Sequence, residues 1–259
     1  MKYLSLLKVA ALAISAGFCA APSVAETSRL QQLHTGDDTK GWEAVGRLDI
    51  NGHGFCTGAL IAPDLVLTAA HCLFDKTTGQ EVDISAIEFH AGLRNGRAIA
   101  HRKVRRAVRH PDFKMQSDPS AIRVRNDVAL LELYHPIRNT QVVPFDTDTQ
   151  PVAGQEIGVV SYGRGRAEAP SLQQICNVLA NQQGVVVMDC DVNFGSSGSP
   201  VITIKDGAAK IVSVVSAMAR VDDKEVSLGT QLTDPMIYLK SQLETGSRRK
   251  TTAKFAKPE

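Results

Sequence analysis

The sequence predicts an all-β protein. Three observations carry that expectation: short apolar or alternating runs recur along the chain, turn-forming residues punctuate them, and only two brief stretches have a helical signature. The runs are Val45–Ile50, Ala59–Ile61, Leu65–Thr68, Ile84–His90, Val128–Leu133, Ile157–Ser161, Val185–Met188, Val201–Ile204 and Ile211–Ala217. Gly, Asn, Asp and Pro separate them, as in a sandwich or barrel built from short strands. The first helical stretch, Ala69–Leu73, is long enough for one turn. The second is Pro235–Leu243, where Asp234 can cap and Pro235 can take the first helical position, whose N–H needs no partner. No repeat recurs at solenoid spacing.

Residues 1–25 read as a signal peptide. Lys2 and Lys8 form a basic start, Leu4 to Ala21 is apolar, and Ser23-Val24-Ala25 supplies small residues before Glu26. Gly17, Pro22 and the many Ala and Ser make the stretch weak for a membrane span. The expectation is a secreted or periplasmic protein with no stable membrane anchor. The chain has 29 basic and 27 acidic side chains; without Lys2 and Lys8 the two balance at 27 each. A neutral chain has no global drive toward nucleic acid. Of five cysteines, Cys19 leaves with the leader, and Cys56, Cys72, Cys176 and Cys190 remain. An even number suits an oxidising compartment and two disulfides, with three pairings open. No cluster has zinc-ligand spacing, so no metal and no organic cofactor is expected. The basic stretch Arg94–His110 reads as the solvated face of an edge strand, because Val104, Ala107 and Val108 interrupt its charges. The tail Gly246–Glu259 has little to bury and is expected to be disordered.

Three separated segments carry chemistry. The first runs from Cys56 through Thr57-Gly58-Ala59-Leu60 to Thr68-Ala69-Ala70-His71-Cys72, a buried hairpin ending in a tight turn that presents His71. The second is Asn126-Asp127-Val128-Ala129-Leu130-Leu131. Its carboxylate is carried into an apolar strand and needs a partner, which an imidazole N–H supplies. The third is Phe194-Gly195-Ser196-Ser197-Gly198-Ser199-Pro200. A serine hydroxyl needs a base to become a nucleophile, and flanking glycines allow sharp turns and close substrate approach. Taken singly, each reads equally as a structural His, a capping Asp and a small-residue loop.

Together the segments resemble the chymotrypsin-like serine peptidases, in their order His, Asp, Ser, over roughly residues 42 to 240. The resemblance implies two six-stranded antiparallel β-barrels with the active site in the cleft between them, followed by a short C-terminal helix. It divides the chain into an N-terminal barrel (26–135) with His71 and Asp127, a C-terminal barrel (136–245) with Ser197, and the tail 246–259. It implies that His71 is the general base, Asp127 its orienter and Ser197 the nucleophile, with the Gly195 and Ser197 N–H groups as oxyanion hole. Ser161-Tyr162-Gly163 and His110-Pro111-Asp112-Phe113 resemble secondary family landmarks. With Cys56 bonded to Cys72, the hairpin under His71 is stapled, and Cys176 and Cys190 form the second disulfide.

The departures are specific. Most family members place Asp directly before the nucleophile; here it is Ser196, and no Ile-Val-Gly-Gly-like start is found, so the activation switch of the trypsin-like branch is expected to be missing. The Gly-Ser-Ser-Gly-Ser-Pro string is closer to the bacterial branch with glutamyl endopeptidases. Asp191, six residues before Ser197, occupies the position where trypsin-like enzymes bind Arg or Lys. The strand Ile211–Ala217 lacks the His that glutamyl endopeptidases use there. The expected activity is therefore a secreted serine endopeptidase acting on proteins or peptides as a monomer, with a lean toward Arg or Lys before the scissile bond. The alternative is a catalytically inert homologue serving as a binding module.

Overall fold

The computed structural model describes residues 27–52, 54–115 and 120–255, with side chains through 245. The expected signal peptide lies outside the described residues.

A short first strand, β1 (Gln31–Gln32), pairs with the second half of the chain at Leu172 and Ser171. Six strands of the first half then close on themselves: β2 (Val45–Ile50), β3 (Gly54–Ala62), β4 (Leu65–Thr68), β5 (Ile87–Ala91), β6 (Ala100–Arg109) and β7 (Ala129–Leu133), in the order β2-β3-β4-β7-β6-β5. Alternation along these strands sends Leu48, Leu60, Phe89, Leu131 and Leu133 into the core. A short helix, α1 (Ala121–Arg125), enters β7; the Ser120 hydroxyl caps it by accepting the Arg123 N–H.

The second half holds β8 (Asp146–Thr147), β9 (Glu156–Gly163), β10 (Arg166–Gln182), β11 (Val185–Met188), β12 (Pro200–Lys205), β13 (Ala208–Val221) and β14 (Lys224–Gln231). β10, β11, β14, β13, β12 and β9 are joined in that order, and β9 pairs back to β10, so this sheet also forms a ring. The fold is thus the expected all-β pair of barrels. Helix α2 (Thr233–Phe255) follows and buries Met236, Leu239 and Leu243 in the same core as the first barrel. Both disulfides form as expected, Cys56–Cys72 and Cys176–Cys190. The second closes a 14-residue separation just before the loop that holds Ser197 and contributes about 3 kcal/mol in the loop-entropy picture.

Several local expectations change. Ile84–Ala86 forms a 3-10 turn rather than the start of a strand, because the Asp83 carboxylate accepts the Ser85 N–H at 2.9 Å. β6 carries the basic stretch but is not an edge: it lies between β5 and β7 in a closed barrel, which has no edges. Its arginines reach outward to carboxylates, Arg106 to Glu132 at 2.9 Å and Arg109 to Glu81 at 2.7 Å. Helix α2 begins one residue before Asp234 and runs past Leu243 into the segment expected to be a disordered tail. Two long strands, β10 and β14, correspond to no run read from the sequence.

Candidate active site

Strand register brings the first two residues together. β4 and β7 are antiparallel neighbours, with Thr68 opposite Ala129. Continued two residues past those strand ends, the same register sets position 70 beside position 127. There the chain leaves β4 in the 3-10 turn Ala70–Leu73, which holds His71, and the Cys56–Cys72 bond ties that turn back to β3. His71 Nδ1 lies 2.6 Å from Asp127 Oδ2, and the His71 backbone N–H donates to Asp127 Oδ1 at 2.8 Å. Asp127 is fully buried and His71 is 4 % exposed. A third donor completes the carboxylate: Ser216 Oγ, from β13 of the second barrel, donates to Asp127 Oδ2 at 2.5 Å. A buried carboxylate demands such partners, and here it has three.

The segment holding Ser197 is fastened to the first barrel by its backbone. Thr57 N–H donates to the Ser197 carbonyl at 2.8 Å, and Thr57 Oγ1 donates to the Gly195 carbonyl at 2.9 Å while accepting the Tyr162 N–H at 3.0 Å. Two glycines are required by the path. Gly195 (φ +101°) would set a Cβ against the Phe55 ring, and Gly198 (φ +80°) would set one against Thr68 Oγ1 and the Thr57 carbonyl. The Phe194 carbonyl accepts the Arg164 N–H at 2.7 Å, so the trans peptide sends the Gly195 N–H the other way. Among the described residues, neither the Gly195 nor the Ser197 N–H donates a hydrogen bond, and none links Ser197 Oγ to the imidazole.

His71 and Gly195 line one cleft of about 460 Å³, with Phe55, Lys76, Arg164 and Phe194. Arg164 stacks 4.5 Å from the Phe194 ring centroid. A second cleft, of about 500 Å³, is lined by Asp189, Asp191, Met218, Arg220, Glu225 and Val226. Asp191 is exposed at its rim rather than buried, and its N–H donates to Gln173 Oε1 at 2.7 Å. Asp189 is committed to Asn177, whose N–H and Nδ2 it accepts.

Residues not singled out from the sequence also belong to the site. Ser216, Thr57 and Arg166 act through contacts 30 or more residues away in sequence. Ser216 was only weakly hinted at in the sequence, as one of two serines, with Ser213, in the largely apolar β13 run. Among the described residues, two groups gather potential metal ligands. In the first, Cys56 and Cys72 flank His71 but are bonded to each other. In the second, on the first barrel, His90 Nδ1 meets His101 Nδ1 at 2.9 Å and His90 Nε2 faces Asp49 and Glu88 at 3.3 and 3.5 Å. These rings serve one another as donor and acceptor, and burial lowers the His90 pKa.

A double barrel with a buried His–Asp pair, and a glycine-bracketed serine loop fastened to the first barrel, is the arrangement of chymotrypsin-like proteins. Comparison with known proteins agrees: the family model for Trypsin matches residues 35–233, and the chain belongs to the trypsin family of serine peptidases. It is 27% identical over 201 residues to the CLIP domain-containing serine protease B15 of Anopheles gambiae, covering 64% of this chain and 54% of that protein. It is 35% identical over 109 residues to Trypsin of Phaedon cochleariae, covering 40% of this chain and 36% of that one. The chain thus spans about half or less of these relatives' length. A solved structure of a Glu endopeptidase in complex with MPD superposes with a TM-score of 0.65 at 17% identity, covering 86% of this chain and 99% of that one.

Proposed function

We propose that the chain is a secreted or periplasmic serine endopeptidase in which His71, Asp127 and Ser197 form the catalytic triad. The observation that carries this reading is the buried Asp127 carboxylate, held by Ser216 and the His71 backbone and facing His71 Nδ1 at 2.6 Å. That contact keeps the proton on Nδ1 and leaves the Nε2 lone pair free to act as base. Ser197 Oγ attacks the substrate carbonyl as its proton passes to His71 Nε2. The oxyanion that forms is met by the Gly195 and Ser197 N–H groups, whose lack of any other partner supports this role. The imidazolium then protonates the leaving amine, and water repeats the sequence on the acyl-enzyme.

Protein or peptide substrates follow from the chemistry, with the chain acting as a monomer of two barrels divided near 135. No helix among the described residues is long and apolar enough to cross a membrane. For the residue before the scissile bond the reading remains Arg or Lys. The second cleft supports it by setting three carboxylates, Asp189, Asp191 and Glu225, against one cation, Arg220. Peptide-library cleavage tests this: a basic preference lost in Asp191→Asn supports the assignment, and an unchanged profile removes Asp191 from it.

A second reading, an inert homologue that binds without cleaving, is favoured by the absence of a Ser197–imidazole hydrogen bond among the described contacts. Apo sites commonly hold that bond long and tighten it with substrate. Fluorophosphonate labelling, with Ser197→Ala as control, separates the two, since only an activated serine reacts.

A further inference from the structure

The residue directly before the nucleophile is fully buried, yet it is a neutral serine. A hydroxyl has one proton to donate and two lone pairs to offer. Ser196 Oγ uses all three: it donates to the Tyr162 carbonyl at 3.2 Å and accepts from the Asn193 N–H at 3.2 Å and from Arg166 Nη2 at 2.9 Å. No acceptor remains there for an incoming amino terminus.

Arg166 cross-links this junction. It lies at the start of β10 and turns inward, with Nη1 donating to the Ser161 carbonyl at 2.5 Å and Nη2 to Ser161 Oγ at 2.9 Å. One planar guanidinium therefore joins β9, through Ser161, to the loop that carries Gly195 and Ser197. Gly163 makes the approach feasible, since a Cβ there would collide with Asn193 Oδ1 and crowd the guanidinium. Arg166 has no carboxylate within ion-pair distance among the described residues; Asp191 is the acid whose charge it feels. A half-buried cation held by neutral oxygens alone is costly to keep, which marks the contact as one that the site uses.

We propose that Arg166 is a positioning residue that, through Ser196, holds the Gly195–Ser197 loop in its working form without a cleavage-generated amino terminus. The proposal rests on the reading of Gly195 and Ser197 as the oxyanion hole. It adds that the loop needs no amino terminus freed by a maturation cut elsewhere in the chain.

The test uses the full chain, with Arg166→Met keeping the stem and removing the donors, Arg166→Lys as the conservative variant, and Ser196→Ala removing the acceptor. Two readouts are taken on folded protein: the rate of fluorophosphonate labelling of Ser197, and amide exchange of residues 193–198. Loss of an oxyanion donor's placement slows acyl chemistry about 100-fold or more. Arg166→Met is expected to slow labelling by that order and to speed exchange in 193–198 while the barrels keep their protection. Arg166→Lys should recover part of the rate. Ser196→Asp should be labelled faster beside Arg166 than in the Arg166→Met background, because only the guanidinium offsets a buried carboxylate there, a non-additive coupling that independent destabilisation does not produce. Labelling within about threefold of wild type in folded Arg166→Met, or unchanged exchange, overturns the proposal. If Arg166→Met does not fold, the same two readouts on Ser196→Ala decide it. If wild type itself is not labelled, the catalytic reading fails, and the exchange measurement alone still decides whether Arg166 holds the loop.

Discussion

Replacing Asp127 by asparagine changes one atom and should silence the site. In the native arrangement Asp127 Oδ1 accepts the His71 backbone N–H and Oδ2 accepts from the ring Nδ1 and from Ser216. An amide has only one oxygen. The backbone N–H can donate but never accept, so the amide oxygen must stay at the Oδ1 position. That leaves the NH2 group facing Nδ1, which must then give up its proton and accept. The proton moves to Nε2, the atom that in the proposed triad receives the Ser197 proton. A wrong-tautomer imidazole lowers the rate about 10⁴-fold, or roughly 5.4 kcal/mol of barrier at 1.36 kcal/mol per decade. Stability should change little, because each heavy-atom contact keeps a hydrogen bond and Ser216 can rotate to accept. The assay is the rate of Ser197 phosphonylation in wild type and Asp127→Asn, with urea midpoints measured alongside. A folded variant that reacts within tenfold of wild type would refute the reasoning.

Two further outcomes follow from the packing. Gly198→Ala forces a methyl against Thr68 Oγ1 and the Thr57 carbonyl at a positive φ, and should lower stability by about 2 kcal/mol or more; a urea midpoint like that of wild type would contradict this. Tyr162 is buried with its hydroxyl donating to the Leu93 carbonyl at 2.8 Å, and burial pushes its phenol well above the ordinary range. The unfolded phenol ionises near pH 10 while the folded one does not, so above that pH the unfolded state has lost the proton and stability falls. Tyr162→Phe should lose about 1 kcal/mol at pH 8 and then decline less steeply in alkali, by about 1.4 kcal/mol per pH unit; parallel alkaline limbs would contradict it.

The site was most legible where chemistry is encoded locally. Thr-Ala-Ala-His-Cys, Asn-Asp-Val-Ala and Gly-Ser-Ser-Gly-Ser each carry their own turn residues and apolar flanks, and the strand run Leu65–Thr68 matches β4. What stayed hidden is what register assembles. Ser216 reaches Asp127 across the two barrels, and Arg166 reaches Ser196 across a 30-residue separation. β10 was unreadable for a related reason. It buries Gln173, whose amide donates to the Ser28 carbonyl and accepts the Asp191 N–H, so a polar residue stands where alternation calls for an apolar one. β6 misled in the opposite direction. Its charges are those of a strand with a wet outer face, and barrel closure gives any strand such a face without making it an edge.

The departure at Ser196 separates two properties that the trypsin-like branch couples, a buried charge before the nucleophile and a terminus that neutralises it. Here a hydroxyl and an internal guanidinium occupy that junction. On the proposed role of Arg166, the loop is fixed by residues already in place when the barrels fold.

The most direct test of the triad is fluorophosphonate labelling of purified wild-type protein beside Ser197→Ala, with the modified residue located by peptide mass. The expected result is stoichiometric labelling of wild type at Ser197 and none of the variant. Absence of labelling in folded wild-type protein, or labelling that persists in Ser197→Ala, would contradict it.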